Sequence, residues 1–443
     1  MINHRFDLTR FRLLDRLLRG RWIQFFLRAL GLAGFILAIL AGILGTQVGS
    51  HNFSIVFVWV AWWSTLKLLL IPLGGRVWCS VCPLPLPGEW IQNQGILNSI
   101  PSMPQKRLKP FPKILRGAGV QSIAMLVVGL FSSLLLTSPL ATSALLGVLL
   151  LFSLVLSLIY QGRAFCSHIC PIGGFIGLYA QAAPLELRTK RVEDCAVHSQ
   201  KTCFQVCPWG QYPLALKTSM DCGLCMECLR VCPTDNIALN LRPFGADLSK
   251  RVNRSVSQTL LGLIMLASVL VYTASFLGSF GWLKMAMTNI GSTDWFIYAG
   301  TFLIFSLVQL PAVYATCTFA SDRLSGSKSA FRRHFTQFSP VLIPLGLMAW
   351  IAFTLSFALS KFDYLPGVIF DPFGWSGLQT SPKTTWITFP GQSLRTIQTI
   401  LLAIGFYWSS RLSVEMTKSS KTALPLIGFN AIITFSMLWL LIG

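Results

Sequence analysis

Cys222-Gly223-Leu224-Cys225-Met226-Glu227-Cys228-Leu229-Arg230-Val231-Cys232-Pro233 sets three cysteines two residues apart, then a fourth after three more residues and directly before proline. This C-x2-C-x2-C-x3-C-P run is the bacterial pattern of iron-sulfur ligation. Three closely spaced thiolates take three corners of one cubane cluster, and the x3-C-P turn carries the fourth to a neighbouring cluster. Upstream, Cys195-x7-Cys203-x3-Cys207-Pro208 repeats the last half of that pattern with an altered first half. By the same logic Cys207 completes the cluster held by Cys222, Cys225 and Cys228. Cys195, Cys203 and Cys232 hold a second cluster that still lacks a ligand. His198 is the candidate, because imidazole replaces thiolate at iron in Rieske centres. The alternative is an exposed loop histidine beside a three-iron cluster or one with an external ligand. Residues 161–255 are therefore expected to form an inserted α+β two-cluster domain like bacterial ferredoxin, with Thr234–Leu239 turning into a short strand.

Moving outward, Gly75-Arg76-Val77-Trp78-Cys79-Ser80-Val81-Cys82-Pro83 and Gly162-Arg163-Ala164-Phe165-Cys166-Ser167-His168-Ile169-Cys170-Pro171 share G-R-x-aromatic-C-S followed by C-P. Each closes a helical hairpin. The repeat places Cys79, Cys82, Cys166 and Cys170 at one depth, where four thiolates are able to converge on a third metal centre or act as two dithiols. Zinc also suits four thiolates, and buried free cysteine is often an apolar filler. Arg76 and Arg163 are expected beside this membrane-edge centre, where positive charge favours a reduced, anionic cluster. The alternative for both is ordinary anchoring at a helix end. Cys317 stands outside all these motifs and reads as an apolar filler, the alternative being a ligand supplied across the bundle.

The surrounding chain is hydrophobic. Of 443 residues 53% are apolar and 12% charged, and the mean hydropathy is +0.63, a balance that belongs in a bilayer. About nine runs approach the roughly 20 apolar residues of a spanning helix: 29–49, 53–73, 117–136, 143–160, 257–277, 295–313, 340–360, 390–408 and 423–442. The eighth is crowded by Pro390, Gly391 and Arg395. The fold class expected is a polytopic α-helical membrane protein carrying the inserted ferredoxin-like domain. Its parts are a basic tail (1–28), a four-helix membrane domain of two hairpins (29–160), the ferredoxin-like domain (161–255) and a five-helix membrane domain (256–443).

Topology also accounts for the net charge of +21. With the N-terminus inside, 30 of the 36 lysines and arginines fall on that side. Lys284, Lys361 and Lys383 lie opposite, and Arg28, Lys67 and Arg395 lie at or within spans. This is the positive-inside bias, so no nucleic-acid partner is implied. The N-terminus and ferredoxin-like domain are expected on the cytoplasmic side of the plasma (cell inner) membrane. Twelve cysteines in that setting argue for metal ligation over disulfides. Lys67, two turns from the cytoplasmic end of its span, is expected to snorkel to the headgroups. Haem is not expected, since His4, His51, His168, His198 and His334 all avoid the span centres.

Residues 20–245 resemble the NapH/NosR-type membrane polyferredoxins, on the strength of Cys79/Cys82, Cys166/Cys170 and the ferredoxin run. Departures are the C-x2-C-P spacing of the first pair, the degenerate first ferredoxin run and the five extra C-terminal spans. The resemblance implies electron transfer from the quinol pool toward anaerobic respiratory reductases for nitrate or nitrous oxide, or toward their maturation subunits. Lipid, quinone and such subunits are the expected partners, and two [4Fe-4S] clusters, with a third at the membrane edge and a bound quinone, the expected cofactors. No catalytic acid-base residues are needed for this. A maturation factor or redox sensor is the alternative function.

Overall fold

The computed structural model describes residues 5–93, 108–197, 202–250, 252–278, 280–326, 331–376 and 391–442. Seven helices among them are long and apolar enough to cross a membrane: Trp22–Leu44, Phe53–Gly74, Pro139–Ile159, Val256–Leu277, Thr293–Ser325, Arg332–Leu359 and Ser420–Ile442. Two of the nine expected spans fall short. The third is a 12-residue helix, Gly119–Leu130, that breaks at Phe131 before Ser132–Thr137. The eighth forms a helix of 27 residues, Gly391–Thr417, but Arg395, Arg411 and Glu415 dilute its apolar character.

The chain divides into two compact units, one made of residues 1–36, 69–121 and 146–247, the other of 37–68, 122–145 and 248–443. Residues of the expected 29–160 domain are thus shared between both. The first unit holds a three-stranded antiparallel sheet ordered β1 (Phe6–Asp7), β3 (Ile237–Leu241), β2 (Leu185–Thr189). Thr189 pairs with Ile237 and Leu185 with Leu241, so the two flanks of the cysteine-rich segment meet in one ladder. Beneath it Leu187, Leu229, Ile237 and Leu239 pack against Cys203, Cys222 and Cys228. A buried ionic net braces the sheet: Arg242 binds Glu186 at 2.9 Å and Asp247 at 2.5 and 2.8 Å, and Asp247 also accepts the Ser219 N–H at 2.6 Å. Because Ser219 lies three residues before Cys222, that net holds the start of the cysteine loop.

In the second unit, helices are tied by hydrogen bonds from side chains to backbone carbonyls, a bond that hydrocarbon cannot replace with water. Trp350 Nε1 donates to Met265 O at 3.2 Å, Gln398 to Ala352 O at 2.8 Å and Ser409 to Val341 O at 2.8 Å. Lys67 departs from expectation. It is 2% exposed, and its ammonium lies 5.2, 5.0 and 5.6 Å from the ring centroids of Trp63, Trp350 and Phe353. The π-helical turn Leu66–Leu70 rotates it into this aromatic cage instead of toward the headgroups.

Candidate iron-sulfur site

Both G-R motifs fold alike. Gly75 and Gly162 adopt φ +60° and +62°, a left-handed turn that suits glycine. Short helices then carry Cys79 (Val77–Val81) and Cys166 (Ala164–His168), while Cys82 and Cys170 follow in extended backbone. Pro171 opens the helix Pro171–Tyr179, and Cys170 caps it, its sulfur accepting the Gly173 N–H at 3.3 Å. A helix N-terminus favours a thiolate there.

The two motifs clasp each other crosswise. Arg163 Nη1 donates to Cys79 O at 2.8 Å, and Arg76 Nη2 donates to Gly173 O at 3.1 Å. Both arginines are 4% exposed, so anchoring at a helix end does not describe them. Glu89 joins Arg163 and Arg28, the latter at 3.0 Å, and Arg28 and Gln24 donate to Ser80 O at 2.8 and 2.7 Å. The backbone around Cys79 is therefore held from two elements, with Glu89 bracing the arginines of both.

Eleven of the twelve cysteines fall into three mutually interacting groups in the first unit. Cys79, Cys82, Cys166 and Cys170 lie within each other's electrostatic reach. So do Cys207, Cys222, Cys225 and Cys228, and likewise Cys195, Cys203 and Cys232, with Cys203 also reaching Cys228 so that these two groups adjoin. The last two groupings interleave the two cysteine runs. Leu224 and Met226, at φ 49° and 63°, wrap the loop from Cys222 to Cys228. The sulfurs accept N–H bonds: Cys207 from Gln211 N at 3.4 Å, Cys232 from Asn236 N at 3.3 Å, and Cys195 from Asn236 Nδ2 at 3.3 Å. His198 lies outside the described residues. Cys317 belongs to the second unit, on Thr293–Ser325.

Among the described residues no three His, Cys, Asp or Glu side chains gather for a single metal ion. Four thiols brought to one place suit a multi-iron cluster, whose thiolates bind separate irons. Burial pushes the Cys222 thiol up to about 11 and Cys82 and Cys225 up to about 12, and neighbouring thiols add to the rise. Burial raises Cys79 too, against the opposing charge of Arg76 and Arg163. A bound cationic centre reverses this logic by deprotonating the thiols outright. A cavity of about 420 Å³ in the same unit is lined by Cys207, Cys225, Arg28, Glu89, Arg163 and His168.

The 4Fe-4S binding domain family matches residues 55–103 and 140–190, and each stretch contains one paired-cysteine motif. Ferredoxin-type protein NapH of Escherichia coli is 27% identical over 193 residues, 40% of this chain and 66% of NapH. Methylamine utilization ferredoxin-type protein MauN of Paracoccus denitrificans is 30% identical over 152 residues, 32% of this chain and 52% of MauN. The chain is similar to the NapH-type membrane polyferredoxins. An uncharacterized protein of Methanocaldococcus jannaschii is 27% identical over 210 residues, 47% of this chain and 80% of that protein. The chain thus covers less than two thirds of NapH and MauN, and no solved structure matches it.

Several residues that shape the site carry no signal in the sequence. Glu89 sits in an unremarked helix, Leu86–Asn93, and Arg28 reads as part of a span. Asn236 follows the ferredoxin motif as an ordinary turn residue. Its amide bonds Arg191 N at 2.8 Å and Arg191 O at 2.6 Å as well as Cys195. Trp209, directly after Cys207-Pro208, was placed in no role by its spacing.

Proposed function

We propose that this chain carries electrons at the membrane, linking the quinol pool to clusters on its cytoplasmic side in anaerobic respiration of the nitrate or nitrous oxide reductase kind. The observation that carries the reading is the gathering of eleven cysteines into three groups within one unit. In the proposed assignment Cys207, Cys222, Cys225 and Cys228 hold one [4Fe-4S] cluster. Cys195, Cys203 and Cys232, with His198, hold the second, and Cys79, Cys82, Cys166 and Cys170 hold a third at the membrane edge. Bound there, such clusters supply one-electron redox chemistry whose potential follows charge, hydrogen bonding and burial. The chain's own residues supply those three levers: buried thiols, N–H donors to sulfur from Asn236, Gln211 and Gly173, and arginines at both G-R turns.

The proposed topology has nine spans, with the 1–28 tail and the 161–255 domain facing the cytoplasm across the inner membrane. The one-sided distribution of lysine and arginine supports it. The cavity beside Cys207 and Cys225, within the size range of small-molecule sites, supports the seating of a quinol headgroup. Respiratory reductase subunits are the proposed electron partners.

Anaerobic purification, iron and acid-labile sulfide analysis, and EPR before and after a quinol analogue test the reading. About twelve irons per chain with signals reducible by quinol is the expected result, and about eight would confine the clusters to the 161–255 domain. Clusters that load normally but never react with quinol would favour the maturation or sensing role, and absence of iron would sink both.

A further inference from the structure

The two arginines of the repeat share a sequence position but not an electrostatic state. Arg163 is ion-paired: Glu89, which also binds Arg28, pairs with its guanidinium, and its remaining bond goes to Cys79 O. Arg76 makes no ion pair among the described residues, although Asp221 lies within its field. Its Nη2 donates to Gly173 O, while Nε and Nη1 are buried with no hydrogen-bond partner among the described residues. The backbone is cut away to admit it, since a Cβ at Gly177 would lie 2.1 Å from Nη2.

Arg76 does not end at the membrane-edge group. Its guanidinium carbon lies 4.5 Å from the ring centroid of Trp209. The Trp209 Nε1 is likewise buried without a partner among the described residues, and a Cβ at Gly223 would lie 1.9 Å from it. Gly223 is the residue between Cys222 and Cys225 that faces the indole edge. On its other side the Arg76 guanidinium faces the Cys79 thiol. A charge with no ion pair and three N–H donor atoms with no hydrogen bond among the described residues therefore stand between the membrane-edge thiols and the first ferredoxin group. Leaving buried donors unmade is costly, and native proteins do so where an acceptor outside the polypeptide completes them.

We propose that Arg76 and Trp209 are positioning residues that set the relative potentials of these two cysteine groups. The charge of Arg76 favours the more anionic, reduced state of what Cys79, Cys82, Cys166 and Cys170 hold, and the spare N–H groups of Arg76 and Trp209 donate to cluster sulfur. Arg163, paired with the Glu89 carboxylate that Arg28 shares, acts chiefly as a clasp and has the weaker influence of the two. The inference rests on the carrier reading above and adds a division of labour within the repeat.

Full-length protein purified anaerobically, as wild type, R76Q, R76K, W209F and R163Q, provides the test, with iron and sulfide content measured beside EPR-monitored redox titration. R76Q is expected to keep its iron while the membrane-edge signal moves to lower potential. A tenfold change in the ratio of reduced to oxidised centres corresponds to about 59 mV for one electron. R76K, which keeps the charge, is expected to recover most of that shift, and W209F to lower the potential of the first ferredoxin signal. R163Q is expected to lose iron from the membrane-edge group, with a smaller shift than R76Q in what remains. R76Q with full iron and an unchanged potential would overturn the inference, as would R163Q shifting as far as R76Q. Should R76Q lose its iron, W209F carries the test, and an unshifted ferredoxin signal there overturns the proposal. Wild-type protein with no third redox signal would sink the three-cluster reading and this inference together, whereas a wild-type signal that R76Q leaves unmoved sinks this inference alone.

Discussion

Gly162→Ala should destabilise the site by more than its backbone conformation alone accounts for. Gly162 and Gly210 have the same φ, +62°, so alanine at either meets the left-handed penalty of about 1–2 kcal/mol. Their surroundings differ. Nothing lies within 4 Å of a Cβ at Gly210, whereas a Cβ at Gly162 would stand 2.5 Å from Pro208 O, closer than any real contact. Relieving that overlap displaces the carbonyl that accepts the Arg163 N–H at 2.7 Å, a bond worth roughly 0.5–1.5 kcal/mol. G162A should therefore cost about 1.5–3.5 kcal/mol and G210A about 1–2. Thermal unfolding of both variants in detergent, followed by tryptophan fluorescence with iron content beside it, measures the difference. The order G162A below G210A below wild type is expected. Equal melting temperatures for the two variants would refute the claim that the G-R turn is pressed against Pro208.

Burial opposes the charge of Glu89, yet Arg163 and Arg28 together hold its carboxyl below its ordinary value of 4.5. The stability it contributes is therefore complete above about pH 4.5 and lost as pH falls through the lower folded value. Glu89→Gln should abolish that acid-side slope and cost about 3–5 kcal/mol at neutral pH by leaving two arginines uncompensated; an unchanged pH profile in unfolding experiments would contradict the network. Lys67→Met should raise the melting temperature, because an aromatic cage returns only about 2 kcal/mol against a larger cost of burying an unpaired ammonium. A drop would show that the cage is worth more than its rings. Asn236→Ala should lower the potential of the group containing Cys195 while leaving iron bound, since one N–H donor to sulfur is lost. An unmoved potential in a redox titration would remove Asn236 from the site.

How much was legible beforehand follows the range of each interaction. Ligand spacing is a local property, so the two C-P runs and the duplicated G-R-x-aromatic-C-S motif could be read residue by residue. Helix-long hydrophobicity is also local, and seven of the expected runs form helices of spanning length. The remaining two show the limit: charge count and an interruption at Phe131 change a helix's capacity to cross without erasing its apolar pattern. Lys67 shows another, because which face a side chain presents depends on a π-helical turn and on Trp350 and Phe353, nearly three hundred residues away.

The sequence by itself determined a membrane chain with paired and clustered thiols on a repeated frame, because bilayer thickness and metal ligation both impose patterns a few residues to a few turns long. Only the tertiary structure decided the crosswise exchange of arginines between motifs 87 positions apart, the pairing of Arg163 with Glu89, and the stacking of Arg76 on Trp209. Identical local sequence placed two arginines in equivalent turns, but a carboxylate from a separate helix reached one of them and an indole the other. Burial then made that difference matter, since in a medium poor in water a charge keeps whatever compensation its neighbours provide.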